Sequence, residues 1–180
     1  QAQEKVSRQL AALKVFKKSS SVEDLLYKNE ASIMRSITHP NIVNFIGFED
    51  SIEFVNPGKK SENVSALFME FVSGGEFFNV LQELGSMSET IARTFFSQVL
   101  SAVTYLHSNG VAHMDLKLEN LLLSSDNIIK IADFGSAIRV SGDQKCQGLA
   151  GTLRFQPPEA LEGEFYSPFG SDVFALGIIL

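Results

Sequence analysis

Between His113 and Gly135 the chain (HMDLKLENLLLSSDNIIKIADFG) gathers residues that could do chemistry around one short element. Leu121–Leu123 and Ile128–Ala132 are apolar runs joined by Ser124-Ser125-Asp126-Asn127, which predicts a β-hairpin. In an antiparallel pair the start of the first strand lies beside the end of the second, about 5 Å away. Asn120 immediately precedes the first strand and Asp133 immediately follows the second, so the hairpin delivers an amide oxygen and a carboxylate to one place. Hard oxygen donors so placed suit Mg²⁺, which keeps its waters and shares its site with substrate phosphates. Asp115 sits on the loop feeding this corner, and Lys117 is close enough to neutralise a phosphate held there.

A second pair of charges is implied upstream. Lys14 lies in a predicted strand, Leu10–Phe16, among Ala12, Val15 and Phe16. Ser21 offers an N-cap with Asp24 three residues on, and a helix is expected from about Val22 to Ile37, stopped by Thr38-His39-Pro40. Its apolar stripe is Leu26, Ile33, Met34 and Ile37, and Glu30 falls within that stripe. An inward carboxylate is costly without a partner, and Lys14 is the obvious one. Taken singly, these residues have plainer readings: Glu30 at the stripe edge bending to water, Lys14 snorkelling to solvent, Asp133 capping a turn.

The remaining elements place these groups. Ile42–Phe48, Ser51–Val55 and Val64–Phe71 read as strands, with a polar turn over 56–63. Gly74-Gly75 marks a hinge. Phe77–Leu84 is a short helix, and Ser88 caps a long one to about Ser108 whose inner stripe is Ile91, Phe95, Val99, Ala102 and Leu106. Asn109-Gly110 ends it. Strands dominate before the hinge and helices after it, an α+β chain of two lobes spanning roughly 1–72 and 73–180.

The composition agrees with a packed globule. Of 180 residues 44% are hydrophobic and 20% charged, which excludes collagen-like and strongly disordered classes. Apolar runs such as Ala66–Met69 are far shorter than the ~20 residues of a membrane span. A net charge of −6 without a basic stripe argues against a nucleic-acid partner. The single cysteine, Cys146, fits a reducing compartment, and a cytoplasmic or nuclear location is expected.

Taken together, these residues resemble the eukaryotic protein kinases. His113-Met114-Asp115-Leu116-Lys117 with Asn120 is similar to the catalytic loop, and Asp133-Phe134-Gly135 to the metal-binding triplet. Lys14 in Ala11-Ala12-Leu13-Lys14 matches the phosphate-contacting strand lysine, and Glu30 its helix partner. Met69, Glu70, Phe71 and Val72 fall at the gatekeeper and adenine-contacting hinge, and Glu76 at the ribose position. Ala12 and Leu122 would sandwich adenine. Gly151-Thr152, Pro157-Pro158-Glu159 and Asp172–Gly177 resemble the end of the activation segment and the helix anchoring the catalytic loop.

The resemblance implies a two-lobed kinase fold, truncated at both ends, using ATP and Mg²⁺ to phosphorylate a protein substrate. Asp115 and Lys117 would be catalytic, Asn120 and Asp133 would bind the metal, and Lys14, kept in place by Glu30, would hold the phosphates. Lys117, expected to pair with Thr152, points to the Ser/Thr-directed branch. Gly74-Gly75-Glu76-Phe77-Phe78 is similar to the calmodulin-dependent and AMP-activated groups. His113 would be structural, in a column with Met34 and Phe134 resting on Asp172. A pseudokinase scaffold is the main rival, and a small-molecule kinase of related fold a third reading.

Four departures stand out. No glycine occurs in Gln1–Leu10, where a phosphate-covering loop would end, which is expected to reflect truncation. Pro157 and Phe174 replace the usual alanine and tryptophan. The chain stops at Leu180, inside the anchoring helix, so Glu159 is expected to lack its arginine partner and the isolated piece to be poorly stable and inactive. Met114 stands where most members carry an arginine that pairs with a phosphate on the activation segment. Phosphorylating Ser141 should therefore change turnover little, and a large rise in phosphoryl transfer after its stoichiometric phosphorylation would refute this expectation.

Overall fold

A computed structural model of the chain describes residues 2–3, 10–17, 21–55 and 61–180, with backbone alone at 2–3 and 21–24. A four-stranded antiparallel sheet opens the fold, built from β1 (Ala2–Gln3), β2 (Leu10–Lys17), β3 (Phe45–Phe54) and β4 (Glu62–Glu70) in the order β1-β2-β4-β3. Helix α1 (Ser21–Ser36) packs on it. After the Gly74-Gly75 turn come α2 (Phe77–Leu84), α3 (Glu89–Ser108), the two-residue β5 (Val111–Ala112), the hairpin β6–β7 (Leu121–Leu123 and Ile129–Ile131), β8 (Ile138–Arg139), α4 (Pro158–Leu161) and α5 (Pro168–Ile179). The β-rich first lobe and helical second lobe are those the sequence implies.

Several local expectations need correction. The two strands foreseen at 42–48 and 51–55 are one, β3, which runs through Asp50-Ser51 with a register shift between Glu49 and Ile52. Polar residues there mark a bulge, not a chain reversal. Ile42 lies outside β3 and bridges to Ile131 of the hairpin. On α1, Leu26 is exposed and Tyr27 takes the inward place, its ring between Phe16 of β2 at 5.0 Å and Phe48 of β3 at 5.8 Å. On α3, Ile91 is exposed because the first turn projects beyond what the helix packs against, and Val103 joins the buried stripe instead. The proposed cap at Ser21 and the lack of a glycine loop before Lys14 fall on side chains and residues outside those described. Ser88 does cap α3, its hydroxyl accepting from the Ile91 N–H.

One core runs through both lobes, from Ile33, Met34 and Leu67 through Ile42, Ile131 and Phe134 to Leu106 and Leu176. A smaller cluster, Ala112, Met114, Ala160 and Tyr166, lies under the segment that follows β8. Among the described residues no helix is long and apolar enough to cross a membrane. The turn after β4 is held closely to the hairpin of the second lobe, where Leu123 N–H donates to Gly75 O at 2.9 Å. A Cβ at Gly74 would overlap the Leu123 carbonyl, whereas one at Gly47 would meet nothing within 4 Å. Gly74→Ala is expected to cost about 1–3 kcal/mol in denaturant titration of the full-length protein. Gly47→Ala should be neutral or gain up to about 0.5 kcal/mol; equal effects of the two would show that the close approach is not constraining.

Candidate active site

Lys14 leaves β2 toward α1, where Glu30 is only 2% exposed. Its ammonium donates to Glu30 Oε1 at 2.8 Å and Oε2 at 3.0 Å, and to Asp133 Oδ1 at 2.6 Å. Strand, helix and hairpin thus meet on one cation. Burial of Lys14 opposes its charge, but the Glu30 carboxylate and the bonds to Asp133 and Glu30 outweigh it and raise its pKa. Burial likewise works against ionised Asp133, yet hydrogen bonding and attraction to Lys14 prevail and lower its pKa. For Glu30, burial wins over Lys14 and pushes the carboxyl up.

The hairpin performs as its register requires. Leu121 pairs with Ile131, and Ala132 N–H donates to Asn120 O at 2.9 Å, which sets Asn120 beside the residue preceding Asp133. The Asn120 amide nitrogen donates to Asp115 O at 2.8 Å and Oδ2 at 3.2 Å. Lys117 Nζ lies 2.9 Å from Asp115 Oδ2 and donates to Thr152 Oγ1 at 2.7 Å. Thr152 N–H in turn donates to Asp115 Oδ1 at 2.7 Å. This approach depends on Gly151, at φ +70°, where a Cβ would fall 2.7 Å from Asp115 Oδ1. Lys14, Asp133, Asn120, Asp115 and Lys117 therefore form one connected corner.

His113 is structural. Asp115 N–H donates to its Nδ1 at 3.3 Å, so Nε2 carries the proton and donates to Ala132 O at 3.0 Å. Both ring nitrogens are occupied, and the ring meets Phe134 edge-on at 4.9 Å rather than stacked flat. Below it Asp172, 1% exposed, accepts from His113 N and Met114 N at 2.8 Å each and contacts His107 Nε2 at 2.8 Å. These bonds hold Met114 at φ 66°, and Asp133 sits at φ 60°; a non-glycine residue reaches such angles only under restraint.

The residues expected at the nucleotide border fall on β2, β4, β6 and the turn between β4 and α2. Ala12 and Met69 are directly paired across β2 and β4, and Ala12 shares a strand face with Lys14. Leu122 of β6 and Glu76 form an isolated bridge, with Glu76 exposed and Val72 buried. Glu70 faces elsewhere: its carboxylate meets buried Lys130 at 2.9 Å and accepts from Asn44 N–H at 3.1 Å, and its own N–H donates to Asn44 O at 2.9 Å, so neither group is presented to a ligand. Lys130, Asn41 and Gln98 brace the hairpin and were not singled out from the sequence. Asn41 Nδ2 donates to Ile129 O, and Gln98 Oε1 accepts from Ile129 N–H at 2.9 Å. Lys130 did carry a signal, a lone cation inside an apolar strand.

The donor set fits a hard cation. With its nitrogen on Asp115, the Asn120 amide leaves its oxygen for a ligand, and Asp133 adds a carboxylate bound to Lys14 through one oxygen. Among the described residues no group of three or more His, Cys, Asp or Glu makes a self-sufficient metal cage. A cation here would complete its shell with water and phosphate oxygens, as Mg²⁺ prefers.

Comparison with known families decides the identity: the model of the protein kinase domain matches residues 1–180. The chain belongs to the protein kinase family. This kinase domain is 35% identical to the serine/threonine-protein kinase kin-29 of Caenorhabditis elegans over 99% of its own length and 21% of that protein's. It is 36% identical to NUAK family SNF1-like kinase 1 of Mus musculus, covering 99% of the chain and 26% of the relative. Against CBL-interacting serine/threonine-protein kinase 24 of Arabidopsis thaliana it is 35% identical, covering 94% and 36%. The chain thus spans about a fifth to a third of the length of these relatives.

The lowered Asp133 pKa has a consequence for the kinase domain's stability. A carboxyl whose folded pKa lies below its unfolded one stabilises the fold above the unfolded value, and that contribution is lost as pH falls through the folded one. Glu30 acts with the opposite sign, and because Asp133 itself helps to raise it, removing Asp133 weakens that opposition and offsets part of the change. Asp133→Asn is expected to flatten the acid limb of stability in denaturant titrations from about pH 6 to pH 2; an unchanged limb would show that the Lys14–Asp133 pair contributes nothing.

Proposed function

We propose that this kinase domain transfers the γ-phosphoryl group of ATP to Ser and Thr hydroxyls of protein substrates, with Mg²⁺ as cofactor. The observation that carries the reading is the unbroken run of contacts from Glu30 through Lys14 to Asp133 on one side, and from Asn120 through Asp115 to Lys117 and Thr152 on the other. Phosphoryl transfer asks little covalent chemistry of a protein and much positioning of charge. Lys14 would hold the nucleotide phosphates, with Glu30 fixing its direction. Asn120 and Asp133 would hold Mg²⁺, which supplies positive charge to the phosphates when bound.

Asp115 is placed to orient the acceptor. Its Oδ2 is taken up by Asn120 and Lys117, whereas Oδ1 accepts only from Thr152 N–H and retains a lone pair for a substrate hydroxyl. The hydroxyl proton passes to Asp115, the oxygen bonds to the γ-phosphorus, and ADP leaves. A carboxylate suffices as the proton acceptor where the transition state is loose. Lys117, tied to Thr152, sits where charge on the transferring group would gather. The Lys117–Thr152 pair favours Ser/Thr acceptors, and the similarity to serine/threonine-protein kinases supports that choice.

The completeness of this charge set speaks against a scaffold that has lost catalysis. Asp115→Asn in the full-length protein separates the two. Transfer from labelled ATP should fall by about 10²–10⁴-fold while nucleotide affinity is retained. Undiminished transfer by the variant would remove Asp115 from its role, and absence of transfer by the parent protein would favour the scaffold.

A further inference from the structure

Helix α1 presents Glu30 to Lys14, so whatever fixes α1 decides whether that ion pair forms. Among its described side chains the apolar face is buried from Tyr27 onward, and Leu25 and Leu26 before it are 68% and 56% exposed. Apolar packing is non-directional and tolerates rotation or sliding of a helix. Directional bonds are what set its register, and three join α1 to a distant element, one donated by Asn29 and two accepted from Arg139. Asn29 Nδ2 donates to Ala137 O at 3.0 Å. Arg139 Nη2 donates to Ser36 Oγ at 2.8 Å and Ser32 O at 3.4 Å, while Ser36 Oγ donates to Ile33 O at 2.7 Å. The guanidinium therefore lies at the C-terminal end of α1, where unpaired carbonyls and the helix dipole favour a cation.

The element making these bonds is itself joined to the rest of the corner. Ala137 N–H donates to Phe134 O at 3.0 Å, so the turn after Asp133 leads directly into it. On its other edge β8 pairs with β5, Arg139 opposite Val111 and Ile138 opposite Ala112, and β5 runs straight into His113 and Asp115. One two-residue strand thus connects the Asp133 triplet, the loop of Asp115 and the helix of Glu30. The hydrogen bonds of Asn29 and Arg139 do not include Lys14, Asp115, Asn120 or Asp133.

We propose that Asn29 and Arg139 are positioning residues, which clamp helix α1 to β8 so that the Lys14–Glu30 pair and the Asp133 triplet adopt the assembled arrangement together, without a phosphate. This rests on the phosphoryl-transfer reading. The clamp suits a chain whose catalytic loop carries Met114: that side chain is 3% exposed in an apolar cluster and offers no cation to a phosphate.

The test uses the full-length protein and reads KM for ATP, kcat, and affinity for a fluorescent ADP analogue. Asn29→Ala and Arg139→Met are measured alone and with Glu30→Gln. Each alone should weaken nucleotide affinity on the order of tenfold while the unfolding midpoint, at two exposed positions, moves little. Arg139→Lys, which keeps a cation at the helix end, should restore most of the affinity. With Glu30→Gln already present, neither variant should weaken binding further, because the pair being positioned is gone. Losses that multiply with that of Glu30→Gln, or single variants with wild-type KM and kcat, would overturn the clamp. A wild-type protein that binds no nucleotide would instead sink the phosphoryl-transfer reading and the clamp with it.

Discussion

Glu30 is a carboxylate taken almost wholly out of water, and the site is organised around making that tolerable. A buried charge without a partner costs several kcal/mol, whereas a paired and hydrogen-bonded one roughly breaks even. Lys14 supplies the partner from a different element, and its own side chain stays 34% exposed. The dependence is therefore unequal: Glu30 needs Lys14 more than Lys14 needs Glu30. Helix α1 can stay inward only while that ammonium is present, which makes its pose responsive to anything acting on the lysine. The three ammonium hydrogens are matched by three oxygens, two of Glu30 and one of Asp133. Under the proposed function an arriving phosphate must displace one of them. Asp133, half exposed, gives way at lower cost than a glutamate with nowhere else to go.

A second buried carboxylate does the corresponding work for the catalytic loop. Asp172 draws two backbone N–H groups onto its oxygens and holds Met114 in a left-handed conformation that a methionine would otherwise avoid. Charge-assisted bonds of this kind are about twice as strong as neutral ones, enough to offset the strain. The bend they impose turns Asp115 toward Thr152 and Lys117 while His113 points back at Phe134. Glu30 thus fixes a side chain and Asp172 fixes a backbone. Both act from inside the core, where water cannot compete for their lone pairs.

What was legible in the sequence follows the range of the forces involved. The hairpin, α2 and the body of α3 could be read because turn residues, caps and periodicity are local. The Lys14–Glu30 pair was legible for another reason, since a charge inside an apolar stripe demands a partner. Helix ends were misjudged, as periodicity identifies a face without saying how far the neighbouring surface extends. That is why Leu26 and Ile91 were placed inside and Tyr27 was missed. Glu49-Asp50 looked like a break between two strands because a bulge and a turn draw on the same polar residues. The braces Asn41, Gln98 and Lys130–Glu70 left almost no trace, because each serves backbone or charge far away in the chain.

Met114 shows how one such substitution spreads. In the smaller cluster its side chain packs with Ala112, Ala160 and Tyr166, joining the catalytic loop to α4 and to the chain before α5. Tyr166 continues the connection, bridging Cys146 through backbone bonds of 2.9 Å and donating its hydroxyl to Gly148 O at 3.0 Å. From Cys146 to Gly148 the segment is thus held by apolar burial and neutral hydrogen bonds. An arginine at position 114 would leave a cation in this cluster, stable only with an anion brought to it. Methionine removes that requirement and packs in the cluster without a charged partner. The same logic makes coupling from this segment to α1 fall to short neutral and guanidinium contacts of the kind made by Asn29 and Arg139.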